Sequence, residues 1–410
     1  MRYKARASWV LALVGMTVAV ACGNGSSGSG TASAPVTLSM WAMGDEGDKL
    51  PTSTVMQAFL KANPNIKVNV TAIPWSVAHD KLVTAVAGRQ TPDLSLMGTT
   101  WMGEFAKIGV LDQIPSSVNK GDFYPGAWTA VVANGKAIGV PWYVDTRTVF
   151  YRTDLAQKAG ITSAPQTWSD LLKLAQAYKT SGAQYGIYLQ SNDDQEWLPF
   201  LYSAGGDVMQ NGKFTLDSQA SVKSLTEWVK YFQQGLTPKS EAQGFDVTQT
   251  FTSGATPMFI SGPWQISTMQ KNDPQIAGKW AVARVPKDLS STSWAGGGDL
   301  AVFKSSQHRD AAWKLVQFMT QSQQQINWFK TINDLPAVKA SWSDPALSGD
   351  QNLKVYGDQL TSTKAPPAIA EWTEIDTQIN DWLEKASVGQ VTPAAAAAGM
   401  QQAATSIHKS

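Results

Sequence analysis

Residues 36–70 read VTLSMWAMGDEGDKLPTSTVMQAFLKANPNIKVNV, and their pattern sets the fold class. Val36 to Trp41 reads as a strand, and Ile66, Val68 and Val70 alternate with Lys67 and Asn69 as a second. Between them Val55, Phe59 and Ala62 fall at i, i+4 and i+7 on one helical face, and Asn63-Pro64-Asn65 ends that helix. A strand, a helix and a strand in this order make a βαβ unit. A further helix over 79–87 stops at Gly88, and Pro92-Asp93 leads into a third strand over 94–97. Strands alternating with helices at this spacing imply an α/β fold with a mostly parallel sheet covered on both faces.

The same pattern continues. A β-rich stretch over 137–151 is punctuated by Pro141. A helix over 169–179 follows, with Thr167 or Ser169 as its cap and Leu171, Leu172 and Leu174 on its buried face. Residues 185–189, 257–260 and 280–285 are strand candidates, so a second α/β lobe is the economical reading. Residues 300–303 read as another strand, feeding a helix in which Ala311, Leu315, Phe318 and Met319 share a face. Trp372, Ile375, Ile379, Trp382 and Leu383 repeat at helical spacing. Thr392 and Pro393 then have the types expected at N-cap and N1 of a last, alanine-rich helix.

The amino terminus carries Arg2, Lys4 and Arg6, then an apolar run from Trp9 to Ala21. That run is short of the about 20 residues a membrane-spanning helix needs and has the form of an export signal. Ala19-Val20-Ala21-Cys22 resembles the lipobox of bacterial lipoproteins, which implies cleavage before Cys22 and acylation of its thiol. Residues 1–22 are thus expected to be the signal. Residues 23–35, built from Gly, Asn, Ser, Thr, Ala and Pro, have the composition of an uncharged flexible tether.

With 410 residues, 43% hydrophobic and 16% charged, the chain is large enough for two cores. A net charge of +1 argues against nucleic acid, because phosphate neutralisation needs a basic surface. Cys22 is the only cysteine, so internal disulfides and cysteine-based metal sites are out of reach. Seventeen tryptophans in an exported, nearly neutral chain point to a ligand with flat apolar faces and many hydroxyls, a sugar.

Other motifs lead nowhere. Gly296-Gly297-Gly298-Asp299-Leu300-Ala301 has the glycine spacing of a dinucleotide loop, yet it precedes a strand and does not join a strand to a helix. His79, His308 and His408 are far apart and none has a histidine at i+4, so zinc and a serine–histidine triad lack material. His308 and His408 are expected to be solvated. The clusters Asp45, Glu46, Asp48 and Asp193, Asp194, Glu196 could in principle supply the acid and base pairs of a glycosidase, but such clusters are more often hydrogen-bond acceptors or solvated loops. The first lacks the remaining ligands of a calcium loop. No catalytic residue, metal or cofactor is expected.

Five segments in order resemble the sugar-binding members of the extracellular solute-binding family that serves ABC importers, the family of maltose-binding protein. They are Trp41 to Gly47; Thr91-Pro92-Asp93 with Gly98-Thr99-Thr100-Trp101; Val140-Pro141-Trp142-Tyr143-Val144-Asp145 running through Phe150 to Trp168; Phe251 to Trp264; and Gly297-Gly298 through Trp313. The resemblance covers nearly everything after the tether. It implies a two-lobed periplasmic-binding-protein fold of the type II kind, with discontinuous lobes joined by hinge strands around a ligand cleft. The amino-terminal lobe would take 36–143 and 296–338, the carboxy-terminal lobe 144–295 and 339–410.

A pyranose offers C–H faces to aromatic rings and a belt of hydroxyls to planar acceptors. Carried onto the matched segments, the resemblance makes Asp45, Glu46, Thr100 and Trp101 first-lobe contacts. It places Asp145 on the hinge strand with Arg147 on the same side. It assigns Trp264 as the stacking floor behind Gly262-Pro263, and Asn192, Asp194 and Trp197 to a second-lobe ligand loop. It makes Trp294 a lid, Gly297 and Gly298 a close backbone approach, and Glu371 with Trp372 a contribution from the carboxy-terminal segment. Trp41 is expected to be structural. The implied activity is capture without chemistry: hinge closure on a di- or oligosaccharide and delivery by a lipid-anchored monomer to a membrane permease. A lipid-anchored glycosidase or lyase, a surface lipoprotein recognising a polymer or a protein, and the same fold holding a polyol, amino sugar or glycerophosphodiester remain as alternatives.

Overall fold

The structure is a computed structural model that describes residues 34–241 and 244–408. The expected export signal with Cys22, and residues 23–33 of the expected tether, lie outside the described residues. No described helix is long and apolar enough to cross a membrane.

Strand β1 (Val36–Met43) buries Leu38, Met40 and Ala42 and turns Thr37 and Ser39 outward. It leads through α1 (Gly44–Lys49) and α2 (Thr54–Ala62) into β2 (Ile66–Ile73), its parallel partner from Val36↔Ile66 to Met43↔Ile73. The Ser53 hydroxyl caps α2 by accepting from the Met56 N–H at 3.1 Å. Val55, Met56 and Phe59 form the buried face. Ala62, expected there, is exposed because the helix ends at it; Asn63 turns inward and its amide donates to the Phe59 carbonyl at 2.9 Å.

Helix α3 (Trp75–Ala87) stops at Gly88, and β3 (Leu94–Gly98) and α4 (Met102–Ile108) follow. Strands β4 (Val140–Thr146) and β5 (Thr148–Arg152) are separated by Arg147 alone. Next come α5 (Trp168–Thr180) and α6 (Asp194–Ser203). Thr167 caps α5 in a reciprocal box with Asp170. Then come β6 (Met258–Ser261), α7 (Trp264–Asn272), β7 (Trp280–Ala283) and β8 (Ser293–Val302). The chain continues through α8 (Arg309–Met319), α9 (Ser322–Ile332), β9 (Leu335–Pro336), α10 (Gln351–Leu360) and β10 (Thr363–Lys364). It finishes with α11 (Trp372–Ser387) and α12 (Pro393–Ile407), the latter capped by Thr392.

The first sheet runs β9-β4-β8-β3-β1-β2, with β10 beside the start of β8. It is mixed, not mostly parallel. β2 and β3 run parallel to β1, but β8 is antiparallel to both β3 and β4, and β9 is antiparallel to β4. The cause is the route of the chain: β8 returns after the second sheet has formed and enters the first in the opposite direction. The second sheet, β6-β5-β7, is wholly antiparallel. Residues 185–189, expected as a strand, contribute one bridge, Tyr188↔Phe259. β8 starts earlier than expected and takes the three glycines 296–298 inside it.

Two hydrophobic cores result. Leu38, Phe59, Leu96, Leu300 and Leu315 belong to the first, and Leu171, Trp197, Trp228, Ile375 and Met400 to the second. The second sheet feeds both: Phe150 and Phe259 stack at 4.8 Å within the first core, while Val149, Met258 and Ile260 point into the second. Trp41 packs against the first core with the Lys81 ammonium 5.6 Å from its ring. His308 is exposed at the start of α8. His408 is not simply solvated; it is half-buried, with Nδ1 2.9 Å from a Glu371 carboxylate oxygen.

Phe59 is fully buried and meets Phe318 edge-on at 5.5 Å. Phe59→Ala is expected to cost about 3–5 kcal/mol of stability, read as a lower denaturant midpoint at unchanged slope.

Candidate functional site

A cavity of about 670 Å³ opens between the two cores. Its walls carry aromatic rings and its floor carries carboxylates.

On the first-lobe side, Trp75 and Trp101 lie with ring centroids 5.5 Å apart and planes tilted by 55°. Trp75 is the first residue of α3, directly after Pro74, and is 36% exposed. Gly44 supports it on two counts: its φ is +51°, and a Cβ there would lie 2.8 Å from the Trp75 ring. Trp101 lies over Gly98, where a Cβ would sit 3.0 Å from the indole. Asp45, Glu46, Thr99 and Thr100 line the same side.

On the other side, Trp264 opens α7 and is 44% exposed to the cavity. Its ring folds back over Gly262, where a Cβ would meet it at 1.9 Å. Trp294 is buried and lies on Gly296 in the same way. The Arg147 guanidinium sits between these two rings, 5.0 Å from the Trp264 centroid and 4.6 Å from that of Trp294. It also donates to Asp145 Oδ1 at 3.3 Å and to Gln195 Oε1. Its charge is therefore already matched.

The floor is Tyr143, Val144 and Asp145 of β4, with Asn333, Asp334 and Leu335 from the turn into β9. Asn333 has φ +68° and ends α9, which sets Asp334 beside β4. Burial raises the carboxyl pKa values of Glu46, Asp145 and Asp334, against the pull of Arg147 at Asp145 and with Glu46 and Asp334 repelling each other. Hydrogen bonding from Tyr143 and Trp75 offsets part of the shift at Glu46. Such a group can accept from a hydroxyl when ionised and donate to one when protonated.

Of the residues expected at the site, Asp45, Glu46, Thr100, Trp101, Asp145, Trp264, Trp294 and Gly297 line the cavity. Arg147 lies directly behind them, lining a smaller adjoining cavity. The others are elsewhere. Asn192 lines a separate cavity of about 270 Å³. Asp193 caps α6 by accepting from the Gln195 N–H at 2.8 Å, and this phase buries Asp194 and Trp197 while presenting Gln195 to the cleft. Trp372 is in the second core, and the Glu371 carboxylate is taken by Lys107 and His408. Gly297 and Gly298 lie inside β8, and there they make room for Tyr143. A Cβ on Gly297 would be 2.3 Å from the Tyr143 carbonyl oxygen, and one on Gly298 2.4 Å from its ring.

Sequence reasoning missed Trp75, Tyr143, Gln195 and Asp334. Trp75 had a signal, since Pro74-Trp75 repeats the Pro263-Trp264 arrangement of a proline followed by a tryptophan at a helix start. Asp334 had none.

Under the floor, Asp299 is 2% exposed and its Oδ2 has no partner. Burial pushes its pKa up to about 8, partly offset by Thr99. The folded protein thus holds a proton there that the unfolded chain releases near pH 4, so this group's contribution to stability falls as pH rises from about 4 to about 8. The slope for one proton is at most about 1.4 kcal/mol per pH unit. Asp299→Asn is expected to flatten the decline of melting temperature between pH 5 and 8. A variant with the wild-type slope would contradict the assignment.

A two-lobed α/β body with an aromatic, carboxylate-floored cleft at the crossing strands defines a class, and the family match agrees with it. The family described as bacterial extracellular solute-binding protein matches residues 21–326, and the chain belongs to it. Among solved structures, the sugar-binding protein MalE from Xanthomonas citri is 32% identical with a TM-score of 0.85, over 90% of this chain and 97% of that one. The GacH receptor of Streptomyces glaucescens, solved unliganded and with acarbose, is 26% identical with a TM-score of 0.79, over 91% and 98%. The diacetylchitobiose binding protein DasA of Streptomyces coelicolor is 25% identical over 393 residues, 90% of each chain.

Proposed function

We infer that this protein is a lipid-anchored solute-binding protein that captures a di- or oligosaccharide by hinge closure and hands it intact to an ABC import permease. The observation that carries the reading is the pairing of two exposed tryptophans, Trp75 and Trp264, on opposite walls of one carboxylate-floored cleft. Each ring can cover one sugar face, and a cavity of about 670 Å³ leaves room for more than one ring. The relatives named above are described as binding sugars, diacetylchitobiose or acarbose, which supports carbohydrate as the ligand class.

Charge narrows the ligand. Asp45, Glu46, Asp145 and Asp334 line the cleft, while no Lys or Arg is among its lining residues. Arg147, the nearest cation, is sandwiched and paired. An uncharged polyhydroxylated ligand fits this floor better than a glycerophosphodiester, whose phosphate would meet carboxyl groups and no cation among the lining residues. Glu46, Asp145 and Asp334 are the acceptors in this reading. Gln195 joins from the second lobe.

The lobes are proposed to meet at the Thr146–Thr148 crossing, at the start of β8 and at β10. Of the expected boundaries, 143/144 and 295/296 lie beside the first two crossings; 338/339 lies well before β10, and Leu347, Leu353, Tyr356 and Leu360, on the stretch between, pack in the first core. Closure would bring Trp264 and Gln195 towards Trp75 and Asp45 around the sugar. Cys22 acylation would fix the protein to the outer face of the cell membrane, and residues 23–35 would let a monomer reach the permease.

The test is a fluorescence titration with maltose, maltotriose, diacetylchitobiose and galactobiose, each sugar being recovered afterwards. A saturable change with intact sugar is the expected result. Cleavage products would make the protein a glycosidase or lyase, and silence across the panel would remove carbohydrate of this class as the ligand. For the sugar that binds, Trp264→Ala and Trp75→Ala should each weaken affinity by about tenfold or more; Trp75→Ala should leave the melting temperature nearly unchanged, whereas Trp264→Ala also uncovers one face of Arg147 and should lower it.

A further inference from the structure

Glu371 occupies the N-cap position of α11, yet its side chain caps nothing. One carboxylate oxygen accepts from Lys107 Nζ in the last turn of α4, and the other lies 2.9 Å from His408 Nδ1, just past α12. Met102 and Phe105 of α4 belong to the first core, while Trp372, Ile375 and Met400 of α11 and α12 belong to the second. A single carboxylate therefore joins three helices across two cores.

Backbone packing reinforces the junction. A Cβ on Gly103 would lie 2.4 Å from both the N and the O of Ile369, so α4 lies flush on the segment just before Glu371. The other flank of α4 is held as well, with Glu104 Oε2 2.6 Å from His79 Nε2 on α3. Trp101, the ring that lines the cleft, directly precedes α4 and lies 5.5 Å from the His79 ring. Any shift of α4 moves that ring.

We propose that α4 is an inter-lobe clamp in which Glu371, paired with Lys107 and His408, is a positioning residue that sets how tightly the lobes hold together without touching the sugar. The proposal rests on the hinge-closure reading given above. Lys107 is mostly exposed and Glu371 mostly covered, so the pair has the strength of a partly screened ion pair and weakens with salt. Gly103 supplies the close approach, and the ion pair holds it in register.

Hydrogen exchange on the purified, sugar-free protein tests this, comparing residues 102–108 with residues 371–376. Glu371→Gln should speed exchange in α4, on the opposite lobe, by up to about fivefold. Lys107→Gln should do the same, and the double variant should be no worse than either single one, the signature of one shared interaction. Gly103→Ala offers a second reading of opposite sign to helix propensity, which alone would favour alanine by about 1 kcal/mol; the clamp requires that it loosen α4. Exchange that changes only within residues 371–376 would reduce Glu371 to a local role in its own helix and overturn the proposal. Strictly additive single variants, or an α4 protected more by Gly103→Ala, would overturn it too. Because no sugar is present, the clamp stands or falls separately from the carbohydrate titration.

Discussion

The rest of the molecule depends on how Arg147 is held. It is the single residue between β4 of the first sheet and β5 of the second, so the first step of the chain from one sheet to the other runs through this position. Two rings, one carboxylate and one amide fix its side chain. Its carbonyl accepts from Ser293 Oγ at 2.8 Å, and the neighbouring Thr146 hydroxyl donates to the Trp294 carbonyl at 2.6 Å. The outgoing and returning crossings are thereby tied to each other. A buried guanidinium left without these partners would be strongly destabilising, so cleft geometry and lobe connection share one solution.

The cleft is built from glycine as much as from tryptophan. Gly44, Gly98, Gly262 and Gly296 each lie under an indole ring that a Cβ would displace, so four rings are seated on backbone and held at set angles. Rigid seating limits the entropy lost when a sugar is stacked on them. The carboxyl groups between the rings are desolvated and crowd one another, which raises their pKa values and favours their uncharged form.

Local signals in the sequence carried the first βαβ unit and the cap at Thr392, and narrowed the cap of α5 to Thr167 or Ser169, because periodicity and capping are short-range physics; the segments that form the cleft walls were legible only through the family resemblance. The mixed sheet was not legible: a strand reads the same whichever way its neighbour runs, and the direction of β8 is decided by the return of the chain from the second sheet. The glycines 296–298 concealed the start of β8, since they look like a loop until Tyr143 and Trp294 are seen to need the space. At 193–197 the helical phase was not legible. Asp193 takes the cap, which turns Asp194 inward and Gln195 toward the cleft. Asp334 depends on the left-handed turn at Asn333 and on pairing with β4, neither of which a local pattern reports.

Closure of two lobes around an uncharged oligosaccharide is the centre of this account, and small-angle X-ray scattering with and without saturating sugar addresses it most directly. With maltotriose or diacetylchitobiose bound and recovered intact, the radius of gyration should fall on saturation. Saturable binding at an unchanged radius of gyration would contradict hinge capture and leave a rigid surface that recognises carbohydrate.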